Sequence, residues 1–568
     1  MFSKEEQDAI EEFFKGTQNI AENTISGMFH LRSVPASPIQ EITSGQVNIK
    51  IVTPAAYPQY ESPQAFFVDE PLWIFPHVRM DDGKICPPDS RRWFENPTLR
   101  GFLEYLSEFL TKAAENNLEA KEDYYELPQF PVAKPFHLVF VERDPQSWIS
   151  RTESVIGFFS YAVENQLIQI RRFNIDPKAL NSDERCGIYI WYKKEPVLRY
   201  KRPPIYFREL AELLESEGLS FENLVREGIK LLPEKKFIVI LGFPIKETNG
   251  GPFNDIHWQS FLLDISAYYQ ISRKQRKKNK KKKVDYNLAV SDYRKEVENT
   301  KVEYFKSHDC SLRFLYSRIG GQSSVNNCAV FGCGAIGSHL LVFLAKSGIA
   351  RMIVCDHETI EAGNLCRHAL HFSSVGKLKA SEMGKVLKDI NPWGDFSVAL
   401  TDILNLTSDS KEMQQLLEYD LWIDAGLPVK ASLYLVDLAK KHSKRMVSAF
   451  ITNKAKYLII AISGKNSSPD INEILTQMRI YMSNSDDSDL KGCLALLESP
   501  EKDIGIRPNT GCYFMTFEAS EARMSATTSI LYSCLNELCG DTFEKGRYLI
   551  YGYDDKHFTY KIILDSVV

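Results

Sequence analysis

Apolar positions change their period more than once along the first hundred residues. Ile10, Phe13, Phe14, Ile20 and Ile25 are spaced for one face of a helix and predict a helical start over residues 1–40. Val47–Val52 then alternates with the two-residue period of a strand, Tyr57-Pro58 and Ser62-Pro63 punctuate, and Ala65–Val68 opens a second strand. Leu99–Ala114 returns to helical spacing. From Phe130 to Tyr269 an α/β pattern follows, with strands His137–Val141, Ile188–Trp191 and Phe237–Leu241 and amphipathic helices such as Leu210–Glu215. Gly242–Ile245 and Gly250–Pro252 read as turn-rich edges, His257 as a core or rim histidine, and Cys186 takes no role.

The last third is the most regular. A strand (Ala329–Phe331) meets Gly332, Gly334 and Gly337, a helix runs from Ser338 to Lys346, and a second strand spans Met352–Cys355. Asp420–Asp424 reads as a buried parallel strand, Pro428–Lys441 as a helix, and Arg445–Ile451 with Lys456–Ile462 as a strand pair. Gly464–Leu490 is rich in Ser, Asn and Asp and predicts a mobile crossover loop with Cys493 at its end, ahead of a helix Ser525–Leu538. Cys534 and Cys539 sit at core spacing around that helix.

Composition narrows the class. A chain of 568 residues that is 44% hydrophobic and 25% charged suits two to four globular domains. No run of about 18 apolar residues occurs, and the acidic N-terminal segment lacks a signal-type apolar region, so a cytoplasmic protein away from membranes is expected. Eleven cysteines without paired CxxC spacing read as reduced thiols. A net charge of −5 gives no global attraction to nucleic acid. The run Arg273–Lys283 carries nine cations in eleven positions; like charges keep it solvated, and with no interleaved aromatics it offers phosphate attraction but no stacking surface, so no specific nucleic acid is expected.

The candidate chemistry begins at the glycines. Gly332, Gly334 and Gly337 allow a tight turn and close backbone approach, the following helix N-terminus favours phosphate, and Asp356 at the end of the second strand is placed to accept hydrogen bonds from a ribose. Alone, this fingerprint fits a dinucleotide oxidoreductase. It is followed by Asn364-Leu365-Cys366-Arg367, Gly376–Ala380 and Ile390–Pro392, an order that resembles the ThiF/MoeB and ubiquitin-activating superfamily. The resemblance implies that Arg367 and Lys379 hold the phosphates of ATP and that Asn364 helps to position them. Many relatives carry a magnesium-binding aspartate just after the next strand; here Leu427-Pro428 stands there, leaving Asp424 to act through water or the Mg2+ to be held mostly by ATP.

Two cysteine segments flank this unit. The layout of helix, strands around Tyr57-Pro58, the segment Phe75-Pro76-His77, the stretch Asp82–Cys86, Trp93 and the helix Leu99–Ala114 resembles a ubiquitin-conjugating domain, which implies that Cys86 is the conjugating cysteine. His77 replaces the family's oxyanion-steadying asparagine, and its ring is suited to donate a hydrogen bond or to polarise an incoming amine; the alternative for Cys86 is a buried structural thiol. Pro508–Phe517 resembles the GCxxPTF signature of bacterial activating domains, with Met515 in place of the proline, so Cys512 is the first candidate for the activating nucleophile and Cys493 the second.

As a whole the chain resembles the fused activating and conjugating enzymes of bacterial anti-phage CBASS operons, the CD-NTase-associated ubiquitin transferases. That implies a multidomain α/β protein: a ubiquitin-conjugating-like α+β domain (1–128), an α/β connecting domain (129–272), a basic linker (273–303) and a ThiF-type Rossmann-like adenylation domain (304–568). It also implies ATP and Mg2+ as cofactors, a cGAS-like nucleotidyltransferase with a flexible C-terminal tail as protein substrate, lysine-bearing targets and a homodimer. Two alternatives stay open: a sulfur-carrier adenylyltransferase of the ThiF/MoeB kind, and an ATP-binding scaffold without turnover.

Overall fold

The computed structural model describes residues 2–14, 19–21, 23–33, 45–59, 61–69, 77–79, 82–86, 96–115, 117, 125–140, 144–164, 166–198, 202–231, 235–278, 286–316, 319, 323–407, 409–498, 518–538 and 544–568. They form two compact units, Met1–Ser311 and Leu312–Val568.

In the first unit, Ser3 and Glu6 form a capping box at the start of the helix Lys4–Phe13, which buries Ala9, Ile10 and Phe13. The helix ends there, correcting the helical expectation for residues 1–40. Phe14 turns extended and bridges Phe29, while Ile20 and Ile25 lie in strands β1 (Asn19–Ala21) and β2 (Thr24–His30). Strand pairing decides this, because Ile25 is buried opposite Ile51 in the register of β2 with β3. β3 (Gln46–Val52) and β4 (Gln64–Phe67) complete an antiparallel sheet in the order β1-β2-β3-β4. Val47, Ile49 and Ile51 point into one core with Leu103, Leu106 and Leu110 of the helix Leu99–Ala114. Each such side chain, fully buried, stabilises the fold by about 1.5–3 kcal/mol.

Beyond it a closed barrel forms from β5 (Val132–Phe140), β6 (Val155–Glu164), β7 (Leu167–Phe173), β8 (Arg185–Trp191), β9 (Lys236–Lys246), β10 (Phe253–Asp264) and β11 (Glu303–Asp309), in the order β10-β11-β5-β7-β6-β8-β9. Both faces of β8 are covered. Ile188 and Ile190 pack with Leu210, Leu214 and Leu224 of the helices Phe207–Glu215 and Phe221–Leu231, and Tyr189 and Trp191 pack with Trp148 and Trp258. This two-sided burial explains why the strand reads as an unbroken apolar run.

Three expectations are corrected in this region. Gly242–Pro244 is strand and not turn; a Cβ at Gly242 would meet the Trp258 ring at 2.2 Å, so the glycine makes room for the indole. The described parts of 273–303 are not a linker but helix and strand. The helix Ser266–Lys278 carries the first half of the basic run, with Arg273 and Lys274 exposed, and the helix Tyr286–Val297 buries Ala289, Val290 and Tyr293 in the barrel's helical core. β11 then pairs with both β10 and β5, so the division expected at residue 304 falls after this strand.

The second unit is an eight-stranded sheet built from β12 (Asn327–Phe331), β13 (Arg351–Cys355), β14 (Asp395–Ala399), β15 (Leu421–Asp424), β16 (Arg445–Ile451), β17 (Tyr457–Ile462), β18 (Arg547–Asp554) and β19 (Thr559–Val567), in the order β14-β13-β12-β15-β16-β17-β18-β19. The first five strands are parallel and the last three antiparallel. Because β13 and β15 lie on opposite sides of β12, the chain's crossovers diverge there, and a doubly wound sheet opens its ligand crevice at that switch point. The crossover loop expected over residues 464–490 is instead two helices, Ile471–Asn484 and Ser488–Glu498. Among its Ser, Asn and Asp lies a stripe of Ile471, Ile474, Met478 and Met482, all buried, and an Asp470–Glu473 capping box starts the first helix.

Candidate active site

At the switch point, Gly332 leaves β12 with φ +90, a left-handed conformation that glycine adopts without strain, and its amide donates to the Cys355 carbonyl at 2.9 Å. Gly334 caps the helix Ala335–Lys346, and a side chain there would meet nothing within 4 Å, so the space beside it is open. Gly337 serves packing: its Cβ would lie 2.0 Å from the Gly332 carbonyl oxygen. Asp356 follows β13; its Oδ2 accepts the Cys333 amide at 2.6 Å and its Oδ1 the Glu358 amide at 2.7 Å, which fixes the carboxylate against the glycine turn.

These residues border a cavity of about 680 Å³ that Asn364, Arg367 and Lys379 also line, so all the expected nucleotide-binding positions except the packing residue Gly337 converge on one space. Asn364 and Arg367 belong to the short 3-10 helix Ala362–Arg367, in which the Asn364 side chain accepts the Glu361 amide at 3.1 Å. Lys379 starts the helix Lys379–Ile390; it is buried, and its Nζ meets Glu358 Oε2 at 2.5 Å. Leu427, Pro428, Phe450 and Ile451 supply an apolar wall.

Among the lining residues that sequence reasoning missed are Glu358, His368, Asp402 and Lys430. His368 is buried. Its Nε2 donates to the Cys333 carbonyl at 2.6 Å and its Nδ1 accepts the Leu370 amide at 3.1 Å, while burial pushes its pKa down to about 4, so the neutral ring braces the glycine turn. Its position directly after Arg367 was the available signal.

Asp424, expected to serve Mg2+ through water, is held by hydrogen bonds at both carboxylate oxygens. Its Oδ1 accepts the amides of Gly426 (3.1 Å) and Leu427 (2.9 Å), and its Oδ2 accepts the hydroxyls of Ser432 (2.5 Å) and Ser448 (3.0 Å). A carboxylate has about four acceptor sites, and these four bonds use them to shape the loop beside the cavity. Among the described residues no group of three or more His, Cys, Asp or Glu is arranged to hold a metal ion.

Cys86 is exposed and ends a short hairpin in which Val78 bridges Ile85 and the Cys86 amide donates to the His77 carbonyl at 2.7 Å. His77 and Cys86, nine positions apart in sequence, thus stand across from each other. Cys512 lies outside the described residues. Cys493 does not end a loop: it sits in the helix Ser488–Glu498, fully buried in a hydrophobic core, and burial pushes its thiol up to about 12. A thiol so placed is held in its unreactive form, which removes the second candidate nucleophile in this arrangement.

Residues 321–523 match the ThiF family model, and residues 116–309 match the model of the Cap2 central linker domain. The ThiF match takes in strands β12 to β17 and the glycine turn at the switch point. Over 395 residues the chain is similar to the ATP-dependent ubiquitin transferase-like protein Cap2 of Enterobacter hormaechei subsp. hoffmannii (strain UCI 50), at 24% identity, covering 65% of this chain and 64% of that protein. The adenylyltransferase and sulfurtransferase UBA4 of Kluyveromyces lactis is 30% identical over 132 residues, 23% of this chain and 29% of that one. The chain spans less than two thirds of the length of these curated relatives. The crystal structure of E. coli MccB superposes with a TM-score of 0.28 at 16% identity, covering 42% of this chain and 62% of that one. No helix among the described residues is long and apolar enough to cross a membrane.

Proposed function

We propose that this chain activates the C-terminal carboxylate of a protein with ATP and passes the acyl group through two cysteines to an amine, as a ubiquitin-like activating and conjugating enzyme in one polypeptide. The observation that carries the first step is the cavity at the switch point, where Gly332, Gly334, Asp356, Asn364, Arg367 and Lys379 meet from separate stretches of sequence. The donor set fits ATP: open space beside the glycine turn for phosphates, two cations to counter their charge, Asp356 for ribose hydroxyls and an apolar wall for the base. Mg2+ ordinarily keeps several waters and binds through phosphates with one or two carboxylates, so the absence of a metal cluster among the described residues fits a cation carried by ATP itself.

The chemistry follows from the groups. A carboxylate oxygen of the protein tail attacks the α-phosphorus, the bond to the bridging oxygen breaks, and pyrophosphate leaves while Arg367 and Lys379 hold its charge. The thiolate of Cys512 attacks the acyl-adenylate and releases AMP. Transthiolation moves the acyl group to Cys86, whose exposure beside His77 suits exchange with a second thiol and then a lysine. The Cap2 relationship supports this order, and the sequence resemblance supports a cGAS-like nucleotidyltransferase as tail donor, a homodimer and a cytoplasmic site of action.

Pyrophosphate exchange tests the first step. Arg367→Ala and Lys379→Ala are expected to stay folded, since removal of the Lys379 ammonium leaves Glu358, 58% exposed, to be solvated by water. Exchange should fall by about 10²–10³-fold. Wild-type exchange in both variants overturns the adenylation reading. A second reading, sulfur-carrier adenylation, is favoured by the 30% identity to UBA4 over part of this domain; it predicts activity that Cys86→Ala leaves unchanged.

A further inference from the structure

We propose that Glu126, from the segment that leads into the barrel, is a positioning residue for His77 at the conjugating cysteine. The inference rests on the reading of Cys86 as the conjugating nucleophile. His77 Nδ1 lies 3.0 Å from Glu126 Oε2. That oxygen is closed off from solvent and meets the ring off the straight hydrogen-bond line, with no other polar partner among the described residues. The other carboxylate oxygen accepts from Gln129 Nε2 at 3.2 Å, and the segment is tied to the barrel by the Tyr125 amide donating to the Glu247 carbonyl at 3.0 Å. His77 itself is held from three sides. Its carbonyl takes the Cys86 amide at 2.7 Å, its ring edge packs on Phe109 at 6.4 Å between centroids, and its backbone sits at φ +59. A left-handed conformation at a non-glycine residue persists where surroundings over-determine it, and such positions cluster at functional sites.

The consequence is a choice of tautomer. The negative charge 3.0 Å from Nδ1 favours the tautomer with the proton on that nitrogen and leaves the lone pair on Nε2. In the final transfer the lysine nitrogen attacks the thioester carbonyl, the C–N bond forms, the C–S bond breaks and the electron pair returns to Cys86 sulfur. The amine proton must leave, and His77 Nε2 is the base that takes it and returns it to the thiolate. Cysteine, imidazole and carboxylate then act in series, with the carboxylate supplied by the segment that leads into the barrel.

The test uses the full chain. Cys86 is acylated with a peptide thioester of mercaptoethanesulfonate, followed on the Cys86 fragment by mass spectrometry, and discharge to free lysine is measured in single turnover. Glu126→Ala should acylate normally and lower the maximal discharge rate on the order of tenfold or more, leaving the half-saturating lysine concentration unchanged. Glu126→Asp should recover part of the rate, and adding His77→Ala to Glu126→Ala should cost little further, because the two act as one unit. Discharge at the wild-type rate in Glu126→Ala while His77→Ala is slow overturns the role of Glu126 alone. An acyl-Cys86 that lysine does not discharge in the wild type overturns the conjugating reading itself, and Glu126 with it.

Discussion

Asp424 and His368 show how single side chains near the cavity do work that their residue types do not announce. Asp424 is expected to act through loop geometry. Asp424→Ala strands two amides and two hydroxyls, which should cost about 2–4 kcal/mol and lower pyrophosphate exchange. Because no metal bond is lost, raising Mg2+ should not restore exchange; a variant that recovers in high Mg2+ would return the residue to metal binding. His368 makes a pH prediction. Its folded pKa of about 4 lies below the ordinary 6.5, so the unfolded chain binds more protons between those values. Stability is therefore full above pH 6.5 and lost as pH falls toward 4, by at most about 3 kcal/mol from this group. Thermal melts from pH 7 to 4.5 should show this slope, and His368→Gln should flatten it.

At the level of elements, the helix Ser488–Glu498 decides the fate of a cysteine. Cys493 packs beside Ile471, Met478 and Met482 in a core on one face of the sheet. Cys493→Ala should lower stability by about 1–2 kcal/mol through a small cavity and leave the first thioester intact. Alkylation of the native protein checks the premise: exposed Cys86 and Cys366 should react within minutes, while Cys493 and Cys355, each pushed up to about 12 by burial, react only on unfolding. Loss of the first thioester in Cys493→Ala at undiminished stability would restore it as the nucleophile.

For the whole molecule, the proposed relay has an order that chemistry imposes. Adenylation needs neither cysteine, the first thioester needs Cys512, and the second needs Cys86. Cys512→Ala should keep pyrophosphate exchange and carry no thioester. Cys86→Ala should accumulate a reductant-labile acyl group on Cys512 and give no amide, which a non-reducing gel would show. Amide formation at the normal rate in Cys86→Ala would remove the first 128 residues from catalysis.

What the sequence determined by itself is local. The turn at Gly332–Gly337 was legible because a positive φ and a close helix–strand contact demand glycine whatever the rest of the chain does. The helix Leu99–Ala114 and the strand β3 followed from periodicity, since each buries a face that its own pattern marks, whereas β15 and β16 followed from the family resemblance. The convergence of Asp356, Arg367 and Lys379 was foreseen through the family resemblance of their motifs. The rest depended on partners far along the chain. Ile25 became strand because Ile51 lies opposite, β11 closed a barrel against β5 from about 170 positions away, as the His137–His308 contact between them records, and the polar stretch around Asp470 folded as helix over a core that no local window contains. Asp424 accepts from Ser448 on the neighbouring strand, and Glu126 reaches His77 from 49 positions along the chain. Burial and hydrogen-bond saturation are properties of contacts between distant segments, so only the folded chain decides which of its reactive groups remain available.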